Sequence, residues 1–359
     1  MITLDTPLCD GLNIKYPIIQ AGMAGGSTTV ELIANVCNAG GLGSLGAAYM
    51  MPDDIRKAIR NIKQQTDRPF AVNLFCVEDI INQNDKEHEH EVKEVLLSLG
   101  ENLGITEDHI QFQTPNLFNE RFQVLIEEEV PIISTAFGIL PVDKMAAAKQ
   151  RNIKVISMVT TVKEAMIAEK AGVDVIVAQG SDAGGHRSTF DIKEDPMGAN
   201  IGTFSLIPQV VENVHIPVVA AGGVMNGKGL VAALALGAQG VQLGTKFLGS
   251  KESGIHPLYK KALFESTEEQ TVLTKNFSGR PARGIKNKFI EEFDRSGVHP
   301  LAYPLQNTAT SSLRKEAFKQ NQIEYMALWA GQGLRFMQHE NHAEMIIKEL
   351  IDEAEEILG

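Results

Sequence analysis

The chain has 359 residues, 43% of them hydrophobic and 22% charged, an ordinary globular composition that excludes a disordered polymer. Its 45 acidic residues against 33 basic ones give a net charge of −12, which argues against a nucleic-acid surface or an anionic membrane as the main partner but leaves room for a local anion site. No apolar run reaches the roughly 18 residues of a membrane span. The opening "MITLDTPLCDGLNIKYPII" shows no basic segment ahead of an apolar one, so the expected location is cytoplasmic. Cys9, Cys37 and Cys76 are too few and too scattered for a disulfide framework or a zinc knuckle and are expected as core thiols.

In chain order, eight short runs rich in Val, Ile and Ala alternate with longer stretches of helical period. They are "YPIIQAG" (16–22), "GLGSLGA" (41–47), "FAVNLF" (70–75), "PIISTAFG" (131–138), "KVISMVT" (154–160), "DVIVAQG" (174–180), "PVVAAGG" (217–223) and "GVQLGT" (240–245). Between them "VELIANVCNAG", "DDIRKAIRNIKQQ", "VDKMAAAKQRN", "VKEAMIAEKAG" and "GKGLVAALALGA" read as amphipathic helices, several closed by Asn-Ile or Ala-Gly stop signals. Eight such units predict a parallel α/β fold, a (β/α)8 TIM barrel over residues 1–250.

Two segments break the rhythm. Residues 77–129, with the polar "NQNDKEHEHEVKE", are too long for one crossover and predict a helical insertion after the third strand. Its His88 and His90 stand at i and i+2, on different sides of a helix, so a solvated face is expected and no metal site. Beyond residue 250, "SGRPARGIKNKFIEEF", "YPLQNTATSSLRKEAF" and "IEYMALWAGQGLRF" predict helices and loops, a smaller helical substrate-side domain over 251–338. The amphipathic "HAEMIIKELIDEAEEIL" predicts a C-terminal helix, within 339–359, that packs back on the barrel.

Such barrels carry their reactive groups at the C-terminal ends of the strands. There this chain places "QAGMAGG", "SLGA", "AQGSDAGGHR", "AAGGV" and "QLGT". Glycine at five strand ends fits tight turns or a backbone brought close to something large. The pair "AGGVMNGKG" and "GVQLGT" favours the second, because the loops after strands seven and eight are the usual phosphate cradle of this fold. Gly222, Gly223, Gly244 and the hydroxyl of Thr245 are the expected contacts and FMN the expected occupant. No GxGxxG follows a first strand, which argues against FAD. Asn73, Gln179 and Gln242 bring uncharged amides to the same mouth, as the edge of a flavin ring or its ribityl chain requires. Asp182 is expected to cap the following turn and Arg187 to be a surface charge.

Together "IIQAGMAGG", "VNLF", "AQGSDAGGHRS", "VVAAGGV", "GVQLGTKF" and "SGRPARGIKN" resemble the nitronate monooxygenase family, over nearly the whole chain. The resemblance implies an FMN-dependent TIM barrel with a helical substrate domain that oxidises alkyl nitronates, such as propionate 3-nitronate, with O2 to carbonyl compounds and nitrite. By motif, the implied FMN contacts fall on Met23, Asn73, Gln179, Gly184, Gly222, Gln242, Leu243, Gly244 and Thr245, and the catalytic histidine on His186. "YPLQNTATSSLRKEA" and "LWAGQG" resemble the longer class of the family. Some relatives have a histidine after the fifth strand's apolar run where this chain has Ser157, so a role for a second histidine does not transfer. The resemblance implies a small-molecule partner and O2, with neither nucleic acid nor membrane, in a monomer or homodimer. In that site His186 would stabilise a nitronate anion, or take the α-proton of a neutral nitroalkane if its pKa lies near working pH.

Enoyl-ACP reductase II shares much of this pattern, with hydride from NAD(P)H as its reductant, and a quinone reductase is a third reading. For the former, a basic patch at Lys275, Arg280, Arg283, Lys286 and Lys288 would have to dock an acidic carrier protein.

Overall fold

The computed structural model describes residues 2–77, 85–193 and 195–359; the start of the predicted insertion, 78–84, lies outside them. Each of the eight predicted runs holds a strand. These are β1 (Ile18–Gln20), β2 (Ser44–Gly46), β3 (Ala71–Phe75), β4 (Ile132–Ala136), β5 (Lys154–Val159), β6 (Val175–Gln179), β8 (Val218–Ala221) and β9 (Gly240–Leu243), with β7 (Gly185–His186) a two-residue strand outside the barrel. The eight pair in parallel in the order β1-β9-β8-β6-β5-β4-β3-β2. A parallel bridge from Ile19 to Leu42 joins the sheet's two ends, so it rolls nearly shut into the TIM barrel the sequence predicts.

Three apolar clusters hold this shape. Ile18, Val72, Ile133, Val155, Ile176, Val218 and Val241 point outward and are buried under the surrounding helices. Alternate residues point inward: Ile19, Ala71, Ile132, Ile156, Val175 and Val219 fill the lower barrel, plugged by Leu8 and Leu12 of the helix Pro7–Leu12. Helices start where the sequence supplies caps, as Thr29 accepts from the Leu32 amide (3.0 Å) and Asn226 from that of Gly229 (3.0 Å). The final helix, Ala343–Leu358, buries Ile346, Ile347, Leu350 and Ile351 against the helices Val30–Asn38 and Gly227–Ala235.

The third cluster lies above the barrel mouth. Val92 and Leu96 of the inserted helix Lys86–Gly100 join Phe277, Phe289, Phe293, Leu313 and Leu334, so the insertion and the region beyond 250 share one core. His90 of the inserted helix is exposed and His88 contacts the carbonyl of His299 (2.7 Å); no metal-binding cluster exists among the described residues. Helices and loops alone do not describe this upper layer. β10 (Thr271–Thr274) and β11 (Ala282–Ile285) form an antiparallel ladder, and β11 pairs in turn with β7. Its strands are four, four and two residues long, too short to show alternation, and the pairing of β7 with β11 joins segments about one hundred residues apart.

Candidate active site

A cavity of about 570 Å³ opens at the C-terminal ends of the barrel strands. Every residue assigned to flavin binding from the sequence lines it: Met23, Asn73, Gln179, Gly184, Gly222, Gly223, Gln242, Leu243, Gly244 and Thr245. At its β8–β9 edge the backbone amides of Gly222, Gly223, Gly244 and Thr245 donate to no acceptor among the described residues. Four unspent N–H groups at one edge of a cavity suit the oxygens of a phosphate. Gly222 (φ 116°) and Gly223 (φ 74°) hold left-handed conformations, and a Cβ on Gly222 would stand 2.7 Å from the Thr203 hydroxyl oxygen. The Thr245 hydroxyl accepts from the Gly331 amide (2.9 Å), tying this edge to the upper layer. The residues present therefore fit a phosphorylated flavin, and the volume lies within the range of small-molecule sites.

His186 reaches the cavity on β7, which β11 pins through the pairs Ala282–His186 and Arg283–Gly185. The fit is close at Gly184, where a Cβ would overlap the Ala330–Gly331 peptide. Gln179 spends its amide on this loop, donating to the His186 carbonyl (2.9 Å) and accepting from the Ser188 amide (2.9 Å). It lines the cavity but positions the histidine loop as well. Asn73 donates to Ser134 (3.0 Å), which leaves its amide oxygen free.

The proton on His186 can be placed. The Ser278 hydroxyl donates to the Arg280 carbonyl (3.1 Å), so its oxygen accepts from His186 Nε2 (2.8 Å). Nδ1 is then the unprotonated nitrogen, and it has no hydrogen-bond partner among the described residues. The ring sits among Trp329, Phe137 and Phe75, at centroid distances of 5.4, 5.6 and 6.2 Å. Burial, aided by the charges of Arg280 and Arg314, lowers the imidazole pKa from 6.5 to about 3. His186 is neutral at physiological pH.

Two expectations are corrected. Arg187 is no surface charge: it is fully buried beneath the loop and donates to the carbonyls of Gln179 (2.8 Å), Gly180 (2.7 Å) and Ala199 (3.0 Å). The guanidinium's planar fork draws together carbonyls from the end of β6, the turn after it and the segment at Ala199. The residues 275–288 do not form one basic patch either. Arg280 is buried, Arg283 is drawn inward to the Ser181 carbonyl (3.0 Å), and the exposed Lys286 and Lys288 pair with Glu291 and Glu292. Asp182 does cap, but across the loop, accepting from the Thr203 amide (2.9 Å) at the start of the helix Thr203–Val211. Ser157 is buried in the barrel, bonded to Thr135 (3.1 Å), and is not among the residues lining the cavity.

The upper wall was missed from the sequence. Arg280 lays its guanidinium 4.1 Å above the Phe137 ring and donates to the Thr189 and Phe190 carbonyls, while its Nε has no partner among the described residues. Arg314 lines the cavity itself. Neither pairs with a carboxylate among the described residues.

The sequence profile of the nitronate monooxygenase family matches residues 5–353. A relative from Staphylococcus saprophyticus, called a probable nitronate monooxygenase, is 44% identical over 99% of both chains. Among solved structures, a nitroalkane oxidase from Streptomyces ansochromogenes superposes with a TM-score of 0.90 at 37% identity, over 97% of this chain and 98% of its own. FabK from Thermotoga maritima does so with a TM-score of 0.78 at 30% identity, over 99% and 98%. With this profile match and this barrel, the chain belongs to the nitronate monooxygenase family of flavin oxidoreductases.

Proposed function

We propose that the protein binds FMN and oxidises alkyl nitronates with O2 to a carbonyl compound and nitrite. The observation that carries this reading is the arrangement of the two walls: free backbone amides on one, and on the other a neutral imidazole with the Arg314 guanidinium, which forms no salt bridge among the described residues, lining the same cavity. Bound flavin would supply the two-electron chemistry and the reaction with O2. Gly222, Gly223, Gly244 and Thr245 would hold its phosphate, and the free amide oxygen of Asn73 and the side chain of Gln242 would meet the ring or its ribityl chain. The upper layer over 251–338 acts in this reading as the substrate-side domain, since it contributes Ser278, Arg280, Arg314 and Trp329.

A nitronate is an anion that has already lost its α-proton. A base held near pKa 3 is poorly matched to removing that proton from a neutral nitroalkane, whereas a cationic, water-poor chamber suits the preformed anion. Negative charge beside Nδ1 would raise the ring's affinity for a proton from its depressed value, opposing the effect of burial and of the two guanidinium groups. The aromatic side chains of Phe75, Phe137 and Trp329 exclude water around the imidazole.

The test is anaerobic mixing of the purified yellow protein with propionate 3-nitronate, and separately with NADH and NADPH, while the visible flavin absorbance is followed. Loss of absorbance with nitronate alone is the expected result. Loss only with a nicotinamide would replace this reading with a reductase.

A further inference from the structure

The helix Ser311–Lys319 turns one face to the cavity, with Ser311, Arg314, Lys315, Phe318 and Lys319 at i, i+3, i+4, i+7 and i+8. That face carries three cations in a chain whose net charge is −12. Lys319 is bound by Glu316 (2.5 Å), but Arg314 has no acidic partner among the described residues. Its Nε donates to the Thr310 hydroxyl (3.2 Å) and its Nη2 to the Asn307 carbonyl (2.7 Å) and side-chain oxygen (3.0 Å). Those neutral acceptors fix the orientation of the plane without neutralising its charge, and Nη1 has no hydrogen-bond partner among the described residues. A guanidinium held in this way is preorganised for a carboxylate.

Resting on the nitronate reading, we propose that Arg314, with Ser311 beside it, forms a second anion subsite that recognises a carboxylate carried on the nitronate's own carbon chain, and so determines substrate specificity. The charge of Arg314 acts on His186 with no hydrogen bond between the two, which leaves them as two separate anion-binding points in one cavity. Phe75, Phe137 and Trp329 offer apolar surface around His186 to the methylene groups that join two anionic ends. A nitroalkyl anion without a carboxylate would leave the Arg314 plane facing bare cavity and gain nothing from it.

The test uses the flavin-loaded enzyme and a matched pair, propionate 3-nitronate and propyl-1-nitronate, with succinate as a non-reacting probe. Trp329 is the chain's one tryptophan and lines the cavity, so its emission reports succinate binding without turnover. Wild type should prefer the carboxylated nitronate. Arg314→Gln should lower the ratio of kcat/KM for the carboxylated over the plain nitronate by about 30-fold, mostly through KM, the scale of one charge-assisted hydrogen-bonded contact. The same variant should lose the succinate response, and Arg314→Lys should recover part of both. Should Arg314→Gln fail to fold, Ser311→Asp places a carboxylate beside the guanidinium and should produce the same selective loss. Equal losses on both nitronates, or a succinate response that survives Arg314→Gln, would overturn the subsite and leave Arg314 a staple between helices. If wild type oxidises neither nitronate, the functional reading fails, while the succinate titration still decides the subsite.

Discussion

The two walls of the cavity are built on opposite principles. The barrel wall is backbone: amides of Gly222, Gly223, Gly244 and Thr245, with positive-φ glycine at 222 and 223. The upper wall is side chains: the His186 imidazole, the Arg314 guanidinium and the Trp329 ring, which meet the Phe75 and Phe137 rings at the barrel's strand ends. A backbone wall presents one fixed arrangement of donors, suited to one shape of anion. A side-chain wall holds charge through packing, and its residues can change without breaking the fold. The first is suited to a fixed cofactor and the second to a substrate.

The contrast can be broken hardest where the walls meet. Gly184→Ala would drive a methyl group into the Ala330–Gly331 peptide, which no rotamer can relieve, and push the His186 loop away from the upper layer. A loss of about 3 kcal/mol is expected from such overpacking against backbone, read as a lower urea midpoint. An alanine variant as stable as wild type would show that the two walls are not rigidly joined. Next comes the cradle itself. Gly222 is a poor probe because any side chain there is strained, but Gly244 has negative φ and a Cβ there would meet nothing nearer than Met23 Sδ at 3.6 Å. Gly244→Ala should therefore retain flavin. Gly244→Asp, folded equally well, should lose at least about 100-fold in flavin affinity, as a carboxylate faces the phosphate in a site poor in water. Full flavin content in the aspartate variant would put the phosphate elsewhere.

The same contrast explains what could be read in advance. The eight strands were legible because a strand buried on both faces must be a continuous Val/Ile/Ala run, and the cavity-lining positions after β8 and β9 because the pair Gly222–Gly223 and the single Gly244 stand out at strand ends. His186 was legible for the same reason, as an imidazole amid glycines. Arg187 was misread because its partners are carbonyls, which every segment has and no sequence marks. Ser278, Arg280 and Arg314 were invisible as site residues because nothing local to them says where they go; they reach His186 only through the pairing of β11 with β7 and through the shared core of the upper layer. The ionic state of His186 was the last to be illegible, since it depends on two distant guanidinium groups and on burial.

That ionic state gives the sharpest prediction. In the unfolded chain His186 takes up a proton near pH 6.5, while in the folded protein it resists until about pH 3. Between those values the unfolded state binds more protons, so the contribution of a neutral His186 is fully present above pH 6.5 and is lost progressively as pH falls toward 3. His186→Asn removes the titration and should flatten the pH dependence of stability inside that window by up to about 1.4 kcal/mol per pH unit, read from urea midpoints of the flavin-loaded proteins. The comparison needs no substrate, so it tests the chamber and not the reaction. A wild type and variant that lose stability in parallel on acidification would mean that the folded protein protonates His186 freely. The chamber would then be wet, the cationic wall screened, and the imidazole restored as a competent base for neutral nitroalkanes.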